Sequence, residues 1–189
     1  RFYVSLGDID DSNREQLRAT TVEEAAERAN RILHPYSIEV KEVTWYSVYE
    51  VRHTVAKKFD DVPVDRIGSQ DPRVFIAGDA CHTHSAKAGQ GMNVSMQDGW
   101  NLAWKLGQVL SGQAPRELVA TYSEERKDIA KNLIDFDKEW STLMAKPIDE
   151  LGDPNEVAEF YTKTAEFPAG FMTEYKPSML AWEGNQELA

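Results

Sequence analysis

The sequence predicts a mixed α/β (α+β) fold, on three observations. Side chains alternate with period two over residues 43–59, apolar residues recur at helical spacing over 21–33 and 92–143, and a short apolar run at 73–77 ends in Gly78-Asp79. That last run leads through a loop of small residues to a glycine that opens a helix, an order of strand, turn and helix.

Taken in order, Arg1-Phe2-Tyr3-Val4-Ser5-Leu6 reads as a strand already under way, which implies that the chain begins inside a longer protein. A polar stretch over 7–18 follows. Val22, Ala25, Ala26, Ala29, Ile32 and Leu33 then share a helical face, with Thr21 and Glu24 spaced as a capping box. This helix should stop at His34-Pro35, because the residue before proline is driven out of the helical region. Over 43–59, Val43, Trp45, Ser47, Tyr49, Val51, His53 and Val55 fall on one face of a long strand, or of two strands joined by a bend. Residues 60–71, with Gly, Pro and several Asp, read as a surface loop. Residues 73–77 suit a central buried strand.

The segment 92–110 is apolar on nearly every side and predicts a buried helix, with Met92, Met96, Ala103, Leu106 and Leu110 on one stripe and Gly112 as its stop. From Pro115 to about Lys146, Leu118, Tyr122, Ile129, Leu133, Phe136, Trp140 and Leu143 mark another helix, with one skipped turn at Arg126. That stripe serves either as a packing face or as the contact of a homodimer. A short helix is expected over 153–165, and 167–189 carries no assignable pattern.

The chain has 189 residues and 41% hydrophobic content, enough to bury a core. Its 21 basic against 32 acidic residues leave a formal charge of −11, which repels nucleic acid and anionic membrane surfaces and favours a small organic partner. No apolar run approaches the roughly 18 residues of a membrane span. The one cysteine, Cys81, has no internal disulfide partner, as expected of a cytoplasmic protein.

The chemistry concentrates in residues 78–93, GDACHTHSAKAGQGMN. Glycines at both ends of the loop permit positive φ and let a ligand approach the main chain. The unpaired N–H groups and positive dipole end at Gly89-Gln90-Gly91-Met92-Asn93 favour negative charge, while Asp79, at the carboxyl end of the strand, suits a sugar or polyol hydroxyl. A phosphate beside Asp79 would be repelled. A reduced flavin meets both demands, because its ribityl chain offers hydroxyls and its N1–C2=O edge becomes negative.

Arg73-Val74-Phe75-Ile76-Ala77-Gly78-Asp79-Ala80-Cys81-His82 followed by Gly89-Gln90-Gly91-Met92-Asn93 resembles the second flavin-binding motif of the class A flavoprotein aromatic hydroxylases, most of all the fungal phenol 2-monooxygenases. The likeness extends to Arg1–Val4, His34-Pro35-Tyr36, residues 45–51, Asn101–Leu106 and residues 122–126. It implies that residues 1–72 are part of a substrate-domain sheet and that 73–146 close an FAD-binding domain with its long helices. Residues 147–189 would then lead to a further domain.

It implies further that Asp79 binds the ribityl chain, that Gly89, Gln90, Gly91, Met92 and Asn93 bind the pyrimidine edge, and that Arg1 contacts the flavin when it swings out to meet NADPH. Tyr3 would lie beside flavin and substrate, orienting the phenol and helping to deprotonate it. The implied reaction is ortho-hydroxylation of a phenolic ring with FAD, NADPH and O2, through a flavin C4a-hydroperoxide. The chain departs from the family in having Ala86 where relatives usually carry Pro, and Arg52-His53 where many show Gly-Gln-Arg. No G-x-G-x-x-G for the ADP half of FAD is present, nor is the family's acid-base Asp. Related readings are a hydroxylase of benzoates or polyketide rings, or a binding fragment without activity of its own.

Other chemistries are weaker. His82-x-His84 lacks a third metal ligand at suitable spacing, so no metal is expected. Asp79, His82 and Ser85 suggest a hydrolase, but the G-x-S-x-G elbow is absent. Cys81 reads as a small buried residue.

Overall fold

A computed structural model describes residues 2–7, 9–146, 150–153 and 155–181, and it is mixed: helices with a small antiparallel sheet. The chain divides into two compact units, Arg1–Glu50 and Val51–Ala189.

In the first unit, the short helix α1 (Arg14–Arg18) follows Asp10, whose carboxylate accepts the backbone N–H groups of Ser12 and Asn13 at 2.8 and 3.0 Å. The Ser12 hydroxyl and these two N–H groups hold the Asp10 carboxyl below its ordinary range. Helix α2 (Val22–Leu33) begins with the expected capping box: Thr21 Oγ1 accepts the Glu24 N–H at 3.3 Å, and Glu24 Oε2 accepts the Thr21 N–H at 2.8 Å. It ends where His34 leaves the helical region at ψ 134° before Pro35. Beyond it, Asn30 Oδ1 accepts the Ile38 N–H at 2.7 Å, and the Tyr46 hydroxyl donates to Thr20 O at 2.8 Å. Arg18 pairs with Glu50 at 2.6 Å.

The long strand expected over 43–59 is paired only at β1 (Thr54–Val55), antiparallel to β2 (His82–Thr83), and residues 2–6 lie in no sheet among the described residues. Alternation records which side chains share a face, but a strand becomes part of a sheet only through hydrogen bonds to a partner that alternation does not name. Residues 73–77 likewise form one bridge, Asp60 with Phe75, instead of a central strand, and Val74 is exposed. The bridge is flanked by Asp61 N–H to Val74 O at 3.1 Å and Ile76 N–H to Phe59 O at 3.0 Å.

Two long helices organise the second unit. Helix α3 (Gly91–Leu110) ends at Ser111, with Gly112 at φ 72° just beyond, the left-handed residue that closes a helix. Helix α4 (Thr121–Ala145) follows a 3₁₀ turn, Arg116–Ala120, that starts after Pro115. Leu118, Tyr122, Ile129, Leu133 and Leu143 are buried in the chain's own interior, so the α4 stripe is a packing face. One cluster joins Phe59, Cys81, Tyr122 and Ala130, and another Ala88, Val94, Ile129 and Leu133. Helix α5 (Glu156–Thr164) lies within the expected 153–165, and Phe160 stacks on Trp140 of α4, ring centroids 5.6 Å apart.

The burial of α3 overturns its apolar reading. Met92, Met96, Trp100 and Leu110 are exposed, whereas Val94, Asp98, Asn101 and Lys105 are buried. These four recur in steps of four, three and four, a helical face in its own right. It is polar because it meets polar residues of α4. Lys105 Nζ lies 2.6 Å from Glu125 Oε2, Asn101 Nδ2 donates to the same oxygen at 2.7 Å, and Arg126 Nε donates to Asp98 Oδ1 at 2.7 Å. Burial pushes the Lys105 ammonium down from its ordinary range despite Glu125. Arg126, the skipped turn of the apolar stripe, is fully buried.

Candidate functional site

From the 3₁₀ turn before β2 to the start of α3, glycines stand where the chain packs closely or turns through positive φ. Gly78 has φ 61°, and a Cβ there would lie 3.2 Å from the Cβ of Ser95 on α3. Its 3₁₀ turn, Gly78–Ala80, therefore sits directly against the helix. Gly89 turns the chain at φ 68°. At Gly91 a Cβ would stand 2.6 Å from Cε1 of His84, so the ring of His84 occupies the space beside the first residue of α3.

Two buried carboxylates hold this loop from the long helices. Asp98 Oδ2 accepts the Gly78 N–H at 3.2 Å and pairs with His82 Nε2 at 2.8 Å, while its other oxygen takes Arg126. Asp137 accepts the Ser85 N–H and the Ser85 hydroxyl, each at 2.6 Å, and pairs with His53 Nε2 at 2.8 Å. Burial pushes both carboxyls up. The His82 and Arg126 contacts of Asp98, and the Ser85 and His53 contacts of Asp137, outweigh it and hold both below their ordinary range.

What the loop leaves open is an acceptor and a row of donors. Asp79 is exposed and takes no hydrogen bond or ion pair among the described residues. Gln90 supplies no side-chain cap to α3, so the first N–H groups of the helix, at Gly91, Met92 and Asn93, lack both an intrahelical and a capping partner. Beside them a groove opens along α3, lined by Asn93, Trp100, Trp104, Tyr175 and Leu180. The exposed carboxylate and the uncapped helix start fit a group that carries hydroxyls at one end and an edge of developing negative charge at the other, as FAD does.

The structure places Asp79 in the 3₁₀ turn before β2 and Gly89–Asn93 at the end of the following loop and the start of α3, all within the second unit. Tyr3 belongs to the first unit, outside any helix or strand, with 83% of its surface exposed. Arg1 lies outside the described residues. The trio Asp79, His82 and Ser85 is not assembled, since His82 turns to Asp98 and Ser85 to Asp137. Cys81 is buried and its thiol is pushed up to about 12, first by burial and then by the Asp98 charge, so it stays protonated.

Sequence reasoning missed Asp98, Arg126, Asp137 and His53. Asp98 and Arg126 had a signal, the polar repeat 98, 101, 105 and the skipped turn; Asp137 and His53, 84 residues apart, had none.

Residues 1–137 match the family described as FAD binding domain. Over 99% of its length the chain is 47% identical to a 3-hydroxybenzoate 4-monooxygenase of Comamonas testosteroni, and over 95% it is 37% identical to a phenol 2-monooxygenase of Aspergillus fumigatus. It spans 30% and 29% of the length of these two curated relatives. The solved structure of OxyS anhydrotetracycline hydroxylase from Streptomyces rimosus matches 87% of this chain and 32% of its own, with TM-score 0.66 and 27% identity. This chain therefore belongs to the FAD binding domain family, and its relatives are flavin-dependent aromatic monooxygenases.

Proposed function

We propose that the protein containing this chain hydroxylates a phenolic ring on the carbon next to its hydroxyl, using FAD, with NADPH as reductant and O2 as co-substrate. The observation that carries the flavin part of this is the exposed Asp79 carboxylate on a turn that packs against α3, whose start is uncapped. The relatives support the position of attack: 4-hydroxylation of 3-hydroxybenzoate and 2-hydroxylation of phenol both put oxygen next to an existing hydroxyl.

Asp79 accepts hydrogen bonds from the ribityl hydroxyls. The main chain of Gly89, Gln90, Gly91, Met92 and Asn93 would hold the pyrimidine edge, and the α3 dipole favours negative charge there by about 0.3–1 kcal/mol, or up to ~2 when partly buried. FAD, when bound, supplies the electrons taken from NADPH and the activated oxygen. Tyr3 orients the substrate hydroxyl and draws off its proton, which makes the ring a stronger nucleophile. Arg1 would contact the flavin when it meets NADPH.

On this reading residues 1–72 contribute to the substrate side, 73–146 close the flavin side, and 147–189 lead onward to another domain. Among the described residues no helix is long and apolar enough to cross a membrane. We place the protein in the cytoplasm, consistent with its lone thiol.

The identity of 47% favours 3-hydroxybenzoate over phenol as the first substrate to try. NADPH oxidation by the full-length protein should be stimulated by one of the two, with the new hydroxyl found ortho to the old. No stimulation across a panel of simple phenols and hydroxybenzoates, or oxygen inserted elsewhere on the ring, would overturn the reading.

A further inference from the structure

We propose that Asp137 is a positioning residue for the flavin loop, clamping Ser85 so that residues 86–90 deliver the start of α3 to the pyrimidine edge of the flavin. The assignment rests on the flavin reading of the loop given above.

One side chain grips both the main chain and the side chain of one residue. Ser85 N–H donates to Oδ2 and its hydroxyl to Oδ1, both at 2.6 Å. Asp137 is fully buried and Ser85 nearly so, so water does not compete for either bond. His53, next to β1, fixes Asp137 from the other side at 2.8 Å. The Ser85 hydroxyl in turn accepts the Lys87 N–H at 3.1 Å and so carries the constraint forward along the loop.

Helix α4 repeats the grip one turn on. Trp140 Nε1 donates to Lys87 O at 3.3 Å, and Lys87 Nζ donates to Ser141 O at 3.2 Å. Residues 137, 140 and 141 share one helix face, so α4 acts as a splint along the loop. On the outer side of the loop, Ala86, Lys87 and Gly89 are exposed. A buried carboxylate is a costly way to join two elements when apolar contacts suffice, which points to the geometry of Ser85 as the feature being held.

A reduced flavin would carry negative charge at the edge that the α3 N-terminus favours, so a loosened loop should weaken the reduced form more than the oxidised one. The experiment compares Ser85→Ala, Ser85→Thr and Asp137→Asn with wild type in the full-length protein. It reads FAD dissociation by flavin fluorescence, the midpoint potential of bound FAD, and thermal unfolding of the FAD-free protein.

Ser85→Ala and Asp137→Asn should bind FAD about tenfold or more weakly. Their potential should move negative, by about 30 mV for a tenfold larger loss on the reduced form. Ser85→Thr, which restores the hydroxyl, should recover both.

Wild-type affinity and potential in Ser85→Ala would overturn the assignment, as would a lower unfolding temperature with an unchanged potential, which marks a staple and nothing more. If Asp137→Asn does not fold, Ser85→Ala alone decides. Wild-type protein that holds no FAD overturns the flavin reading and this assignment with it, whereas FAD held equally by wild type and variants overturns this assignment alone.

Discussion

Arg126 Nε donates to Asp98 Oδ1 at 2.7 Å with neither side chain reaching solvent, and the other oxygen of that carboxylate holds Gly78 and His82. A single buried ion pair thus ties α4 to α3 and both to the turn that presents Asp79. Breaking it from one side should be far more harmful than removing it whole. Asp98→Ala leaves a buried guanidinium with no counter-charge and is expected to cost about 3–5 kcal/mol in a urea melt. Replacing both Asp98 and Arg126 by leucine should recover much of that loss. A double variant as unstable as the single one would show that the pair itself, and not the orphaned charge, supplies the stability.

Acid should loosen the same contacts. Asp98 and Asp137 are held below the ordinary carboxyl range in the folded chain, because their hydrogen bonds and cationic neighbours outweigh burial. A carboxyl with a depressed folded-state pKa contributes stability that is complete above its unfolded value, about 3.9, and is lost as pH falls through the folded value. Stability from these two groups should therefore be level from about pH 5 to 7 and decline below about pH 4. Urea midpoints measured from pH 7 to 3 test this, and Asp98→Asn with Asp137→Asn should flatten the acid limb. An acid limb of wild-type steepness in that double variant would refute the account.

Asp79→Ala removes the free acceptor without touching the buried network. Full-length protein carrying it should lose FAD on gel filtration, with affinity down about 10- to 100-fold, the range for a hydrogen bond to a charged group. Flavin content equal to wild type would count against the ribityl role.

Tyr3→Phe keeps the ring and deletes the hydroxyl. Hydroxylation should slow by about 10²-fold while FAD affinity changes little, since the loss falls on a proton step. Product formed per NADPH consumed is the measurement, and wild-type coupling would contradict the role given to Tyr3.

Sequence alone determined the local features. The capping box at Thr21 and Glu24, the stop at His34, the glycine closing α3 at 112 and the loop bearing Asp79 and Gly89–Asn93 all depend on residues within a few positions of each other. So did the family, because the flavin motif is one continuous stretch. The tertiary structure decided what is buried and what is paired. The period-two pattern over 43–59 became a two-residue strand because a ladder needs a partner. The apolar stripe of α3 stayed exposed while Asp98, Asn101 and Lys105 went inside. Their burial is tolerable only because Glu125 and Arg126 arrive from another helix, and a charge's partner 20 or 28 residues away leaves no mark on its own periodicity.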